Sequence, residues 1–183
     1  MDRWLYYKRV AGRAPEPADL EEGYQAVLWR PTWTRLVPRG MPFHPFLIWW
    51  ILHQLRVFPN RDYAIVLIRH QNQLVHRSVV TPAYFRFPFM RDSELQVGDT
   101  WTHEAHRGKG LATLGLQAAL AGSPNREFWY LVETGNLPSI RVAEKLGFCL
   151  VGTGTRTLRL GLALFGSFVL RELAPGTTPE HPR

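Results

Sequence analysis

Four consecutive residues, Arg107, Gly108, Lys109 and Gly110, stand directly before Leu111 to Leu120, a run that reads as an ordinary amphipathic helix. A strand that enters a glycine-containing turn and then a helix leaves several backbone N–H groups without intrahelical partners at the helix start. The positive end of the helix and two basic side chains beside those donors favour a phosphate group. Gly108 and Gly110 have no side chain to obstruct close backbone approach, while Arg107 and Lys109 supply charge. The same residues also fit a plain helix cap that contains two glycines. A nucleoside-triphosphate P-loop is excluded, because the run lacks the terminal Gly-Lys-Ser or Gly-Lys-Thr, and the Gly-x-Gly-x-x-Gly dinucleotide fingerprint is incomplete as well.

Other reactive residues are sparse. The seven histidines form neither an HExxH pattern nor a close His/Cys cluster, so no metal site is expected. His70 and His76 could meet across a hairpin, where surface polarity accounts for them. Cys149 is the only cysteine, which forbids an intramolecular disulfide and is compatible with a reducing compartment. With no histidine near it in sequence to activate it, Cys149 reads as a buried small hydrophobe rather than a nucleophile.

The 183 residues, 45 % of them hydrophobic, are enough for one sizeable core and point to one domain over residues 1–174 with a loose tail over 175–183. A formal charge of +7, from 22 basic against 15 acidic residues, favours anionic partners such as nucleic acid, acidic lipid or a phosphorylated small molecule. The basic residues are scattered and no zinc-finger pattern exists, which disfavours nucleic acid. The first ten residues contain no run of signal-peptide type, and the most apolar stretch, Phe46 to Leu52, is too short to span a bilayer. A cytoplasmic protein without a transmembrane segment is the expectation.

The elements that must position the glycine turn can be read from pattern. Strands are expected at Trp4 to Val10 and at Tyr24 to Trp33, and a helix of about four turns from Pro45 to Phe58, bounded by prolines and apolar nearly all round. That helix suits burial against a sheet; a pocket wall, a dimer face or a membrane-resting surface are the other roles open to it. Two β-branched runs, Tyr63 to His70 and Leu74 to Phe85, are close enough for an antiparallel hairpin. A strand from Leu95 to Thr102 delivers the turn, and the helix after it stops at Gly122, Ser123 and Pro124. Glu127 to Thr134 reads as a strand, Ser139 to Gly147 as a short helix, and Cys149 to Leu173 as two strands around a turn. A mixed α/β sheet with helices against it fits this order better than a β-barrel or a helical bundle.

Two segments carry a family resemblance. Arg107 to Ala112, RGKGLA, is similar to the Arg/Gln-x-x-Gly-x-Gly/Ala acyl-coenzyme A segment of the Gcn5-related N-acetyltransferase (GNAT) superfamily. Asn136 to Phe148, NLPSIRVAEKLGF, resembles that superfamily's next block, where an asparagine follows the fifth strand and a helix ends in Glu-Lys-x-Gly-Phe. The resemblance is strongest from about Leu95 to Phe148. It implies a mixed, mainly antiparallel central sheet, splayed between its fourth and fifth strands, with helices on both faces. It also implies that backbone nitrogens near Leu111 and Ala112, with the turn of Arg107, Gly108, Lys109 and Gly110, bind the coenzyme pyrophosphate. The pantetheine arm is then expected to pair with the strand edge around Thr100 to Thr102, and Asn136 to hold that arm or a backbone at the splay.

The activity implied is transfer of an acetyl group from acetyl-CoA to a primary amine of a small molecule, by direct attack and through a tetrahedral intermediate. A backbone N–H of Trp101 or Thr102 is expected to face the oxyanion. Asp99, Glu104 and Glu133 are candidate general bases, and His103 and Glu104 suit helix capping equally well. The tyrosine that precedes Glu-Lys-x-Gly-Phe in many relatives is Ala143 here, which leaves thiolate protonation to water, to a residue such as Ser139 or to no dedicated acid, the thiol being a fairly good leaving group, and keeps a noncatalytic acyl-CoA sensor or interaction protein as the alternative. The acceptor surface draws on Phe43, Phe46, Trp49, Trp50, Phe58, Tyr84, Phe85, Phe87 and Phe89 with Arg56, Arg86 and Arg91. If these converge, the cavity is broad and aromatic with cationic edges, suited to an amino sugar or another amphiphilic or anionic amine. Peripheral membrane contact and a homodimer remain compatible with the apolar helix.

Overall fold

A computed structural model describes residues 3–12, 22–157 and 166–172. The strands are β1 (Arg3–Arg9), β2 (Tyr24–Trp29), β3 (Ala64–His70), β4 (Gln73–Pro82), β5 (Leu95–Thr102), β6 (Phe128–Glu133), β7 (Cys149–Arg156) and β8 (Phe168–Glu172). The helices are α1 (Phe43–Gln54), α2 (Leu111–Ala121) and α3 (Leu137–Lys145). The expected tail, residues 175–183, lies outside the described residues.

Local chemistry explains most boundaries. The β3–β4 hairpin closes through Gln71 and Asn72, both at positive φ (48° and 67°), the backbone that a two-residue turn needs to match strand twist. α1 begins two residues earlier than its prolines suggest and ends at Gln54, well short of Phe58. The reason is a C-terminal Schellman lock: Arg56 takes φ 58°, its N–H reaches the His53 carbonyl at 3.3 Å, and the Val57 N–H reaches Leu52 at 3.0 Å. α3 ends the same way on Gly147 at φ 77°, with Phe148 N–H on the Ala143 carbonyl at 3.1 Å. At its start the Asn136 side chain accepts the Ser139 N–H at 3.2 Å.

All eight strands form one sheet in the order β2-β3-β4-β5-β6-β1-β7-β8. Each neighbouring pair is antiparallel except β5 and β6, which run parallel. The sheet is therefore mixed and mainly antiparallel, and β5 and β6 stand fourth and fifth across it. Sequence pattern contains no signal for the position of β1, which lies between β6 and β7 rather than at an edge.

Alternation along the strands divides the core between two faces. Phe128, Tyr130 and Val132 join Leu116, Leu120, Ile140 and Ala143 under α2 and α3. Trp129 turns the other way, with Phe46, Phe58, Tyr63 and Ile65 under α1. Thus α1 packs on the sheet through Phe46, Trp49 and Leu52, while Phe43, Ile48 and Ile51 stay exposed. Two sequence expectations are corrected here. Cys149 is exposed, because Phe148 and Leu150 on either side of it turn into the α2–α3 core. His76 is fully buried and opposes Ile68, whereas His70 opposes Gln73, so the two histidines do not meet across the hairpin.

An inserted strand needs its own anchor, and β1 has one in Lys8. Its ammonium lies 2.7 Å from Glu94 and 2.8 Å from Glu127. The Glu94 carboxylate is 1 % exposed and also accepts the Trp129 indole N–H at 2.7 Å and the Arg91 backbone N–H at 2.8 Å. Burial alone would raise its pKa, but Lys8 and these donors outweigh that and hold it below the usual glutamate value. Replacing Glu94 by alanine strands the buried Trp129 indole N–H and leaves Lys8 with Glu127 alone, and should lower unfolding stability in urea by about 2 kcal/mol. A loss below about 1 kcal/mol would show that β1 holds its place without this network.

Candidate active site

The parallel pairing of β5 with β6 covers only Leu95–Phe128, Gln96–Trp129 and Val97–Tyr130, after which the strands diverge. On its other side β5 carries a bulge: Arg77 opposes Trp101 and Val79 opposes Gly98, so Asp99 and Thr100 share Ser78. Asp99 sits at φ 45°, a left-handed backbone that aspartate tolerates better than most residues. The bulge re-aims β5 where it separates from β6.

Beyond Thr102 the chain makes one 3₁₀ turn at Glu104–His106, capped by the His103 ring, which accepts the Ala105 N–H at 3.3 Å. It then enters the glycine turn. Gly108 and Gly110 have φ 78° and 74°, and a Cβ built on either would meet nothing within 4 Å, so open space lies in front of the backbone. Gly110 is the N-cap of α2 and offers no side chain to the first helical N–H groups, those of Leu111 and Ala112 included. Arg107 flanks the turn, with Nε 3.4 Å from the Thr102 carbonyl and a guanidinium nitrogen 3.9 Å from Glu104. The Lys109 ammonium donates to the Tyr24 hydroxyl at 3.1 Å, and that hydroxyl lies 2.7 Å from His106 Nδ1. An uncapped helix start, an open cradle and two cations fit a pyrophosphate.

A chain of polar groups runs along β4 and β5 next to the splay. His76 lies 2.8 Å from the Thr102 hydroxyl through Nδ1 and 3.0 Å from the Ser78 hydroxyl through Nε2; Ser78 in turn lies 3.2 Å from the Thr100 hydroxyl. The Tyr130 hydroxyl interacts with those of Thr100 on β5 and Ser139 on α3, and burial pushes its pKa up against their opposing pull. Tyr130 thus spans the gap between the diverging strands on the α3 side, in the same core cluster as Ala143. Its signal in sequence was only that of a β-strand aromatic.

The three candidate carboxylates separate clearly. Glu104 has an 85 % exposed side chain beside Arg107, and Glu133 is exposed at the end of β6. Asp99 alone of the three lines a cavity of about 520 Å³ that touches both diverging strands, through Gly98 on β5 and Leu131 on β6. Its carboxylate is paired with Arg77 at 3.2 and 3.3 Å. Phe46, Trp49, Tyr84, Phe87, Phe168 and Trp4 form the aromatic wall. Of the aromatics expected there, Phe58 is core, Phe89 packs on Trp129, Trp50 donates its indole N–H to the Thr32 carbonyl, and Phe43 and Phe85 are exposed. Arg86 reaches the cavity, but Arg56 and Arg91 do not line it; Arg77 and Arg156 do. Among the described residues no group of three or more His, Cys, Asp or Glu is placed to hold a metal, and no helix is long and apolar enough to cross a membrane.

Comparison with known proteins places this fold in a family. The profile of the acetyltransferase (GNAT) family matches residues 26–148, more than half of the chain, and the chain belongs to that family. Among solved structures it is similar to a putative GNAT-family acetyltransferase from Novosphingobium aromaticivorans, at 17 % identity and TM-score 0.53. That match covers 83 % of this chain and 61 % of the other. A GCN5-related N-acetyltransferase from Sphaerobacter thermophilus is similar at 14 % identity and TM-score 0.58, over 83 % of this chain and 49 % of that one. A tandem GNAT protein from the clavulanic acid biosynthesis pathway matches at 19 % identity and TM-score 0.54, over 81 % and 50 %. The chain therefore spans about half to three fifths of the length of these proteins. No curated protein matches it in sequence.

The buried histidine beside the splay has a measurable consequence. Burial, reinforced by the neighbouring Arg77 charge, pushes the His76 pKa down to about 4 from the ordinary 6.5. Between those values the unfolded chain binds a proton that the folded chain does not, so stability should fall as pH drops from 6.5 toward 4, by up to about 3 kcal/mol. Urea titrations at pH 7.5 and 4.5 should show this loss in the native protein and a smaller one in His76→Gln. Equal losses in the two would show that His76 takes up its proton in the fold.

Proposed function

We propose that the protein is an acyl-CoA-dependent N-acetyltransferase that acetylates a primary amine of a small molecule by direct attack. The observation that carries this reading is the splay itself: three rungs of parallel pairing, then a gap bounded by an uncapped glycine turn on one side and an aromatic cavity on the other. The donor supplies a thioester carbonyl, and the chain supplies everything that binds, orients and moves protons. The N–H groups of Leu111 and Ala112, with the Arg107-Gly108-Lys109-Gly110 turn, hold the pyrophosphate. The free edge of β5 from Thr100 to Thr102 pairs with the pantetheine arm as an added strand would. Asn136 shapes the opposite wall by capping α3, which places Ser139 against Tyr130.

A backbone N–H at Trp101 or Thr102, past the bulge, donates to the oxygen on which negative charge develops. Asp99 is the carboxylate that an amine in the cavity meets, and it takes the ammonium proton directly or through one water. Tyr130 keeps its proton because burial raises its pKa, and at the splay it is placed to return a proton to the departing sulfur. That assigns to a strand tyrosine the task left open by Ala143.

The test is calorimetric binding of CoA and acetyl-CoA, followed by mass-resolved screening of pooled amines. Binding and a product heavier by one acetyl group are expected. Joint replacement of Arg107 and Lys109 by alanine should weaken CoA by about tenfold or more. With the amine identified, Asp99→Asn should lower kcat/KM on the order of 100-fold, and Glu104→Gln and Glu133→Gln by no more than about twofold. Binding without product in any pool would overturn catalysis in favour of noncatalytic acyl-CoA binding, and no binding by folded protein would return the glycine turn to a plain helix cap.

A further inference from the structure

Among the described residues the aromatic cavity is lined by three arginines, Arg77, Arg86 and Arg156, against a single acidic residue, Asp99. Asp99 is already paired with Arg77. The other two guanidiniums flank one ring: Arg86 lies 5.7 Å and Arg156 5.6 Å from the centroid of Phe168. Their placement is built in by the backbone. Phe168 opposes Arg156 in the β7–β8 register, and its N–H donates to the Arg86 carbonyl at 2.8 Å. Tyr84 adds a hydroxyl that interacts with Arg86.

Two guanidiniums brought to one ring in an aromatic wall make that end of the cavity locally positive, which favours an anion there. Burial, then the Arg86 charge, pull the Arg156 pKa below its ordinary value. Arg86 Nε is buried with no hydrogen-bond partner among the described residues. Tyr84, whose pKa burial pushes up, stays protonated and able to donate. Planar guanidiniums present paired N–H groups in the geometry that carboxylate and phosphate oxygens accept.

We infer that Arg86, Arg156 and the Tyr84 hydroxyl form an oxyanion subsite within the cavity, so that the acceptor amine carries a carboxylate or a phosphate. This rests on the cavity being the acceptor site of the proposed acetyltransferase. Arg77 and Asp99 sit at the splay end of the same cavity, where the amine of such a molecule meets the thioester while its anion is held at Phe168.

Matched amines that differ only in the anion test it: β-alanine against β-alaninamide, and O-phosphoethanolamine against ethanolamine, each with acetyl-CoA and read by thiol release. At least one charged member should exceed its neutral counterpart by about tenfold or more in kcat/KM, chiefly through KM, and the favoured pair tells carboxylate from phosphate. R86Q and R156Q should each remove that advantage and leave the neutral amine within about twofold, while R86K retains part of it. Equal use of charged and neutral amines, or a preference that survives in the R86Q/R156Q double variant, would overturn the subsite. If no amine is acetylated, calorimetric titration of the CoA-saturated protein with inorganic phosphate and with succinate decides it. Saturable binding lost in R86Q but kept in the Arg107→Ala/Lys109→Ala variant upholds the subsite and counts against the acetyltransferase reading; no saturable binding by folded protein overturns the subsite itself.

Discussion

The rest of the site depends on the point at which two parallel strands stop pairing. β5 and β6 share three rungs, and beyond Val97 and Tyr130 the facing edges of both strands lack each other's hydrogen bonds. Backbone donors and acceptors near a protein interior need partners, so a gap of this kind is tolerated where solvent or a ligand strand can enter it. The bulge at Asp99 and Thr100 and the hydroxyl line through Ser78, Thr100 and Tyr130 hold the gap open with satisfied polar groups instead of a collapsed apolar seam. Gly115 belongs to the same constraint: a side chain there would strike His76, so α2 can lie over β4 only because residue 115 has none.

Holding two strands apart requires that each be fastened from outside. β5 is fastened by a long pairing with β4, whereas β6 relies on β1. β1 in turn is bound to α3, the helix next in the chain after β6: the Tyr7 hydroxyl donates to Glu144 at 3.0 Å, and Arg9 donates to the Leu146 carbonyl at the end of α3 at 3.0 Å. With Lys8 on Glu94 and Glu127, three successive residues tie the sheet to α3 and to the loop before β5. The same strand sends Trp4 into the cavity wall, where it meets Phe168 edge-on at 5.1 Å. Stability and site shape are therefore set by one inserted strand.

Much of this was legible wherever the determinant is local. The glycine turn, the β3–β4 hairpin and the Gly147 stop are written in a few adjacent residues, and the structure places them where pattern does, whereas α3 starts at Leu137, two residues before the expected Ser139, with Asn136 as its cap. The cofactor-side motif is built directly from such turns. Contacts between distant segments were not legible. Pattern alone cannot reveal that β1 enters the sheet between β6 and β7, that His76 is buried because residue 115 lacks a side chain, or that Asp99 finds Arg77. The expected aromatic cavity with cationic edges exists, but two of its three arginines, Arg77 and Arg156, differ from those expected, because membership depends on register across β4, β5, β7 and β8.

Basic residues are also divided between the two faces of the sheet. Arg107 and Lys109 stand at the open end of α2, whose buried residues lie on one face of the sheet, while Arg86 and Arg156 stand among the aromatics of the other face. A sheet of this kind separates two cationic sites by its own thickness, so the repulsion between them is weak and each can be matched to its own anion. The splay lies between the two faces, and Asp99, paired with Arg77, is the acidic residue of the cavity wall among the described residues. A uniformly basic surface would provide neither separation nor polarity along the path. The arrangement of a few arginines around one gap provides both, because the sheet fixes which face each of them occupies.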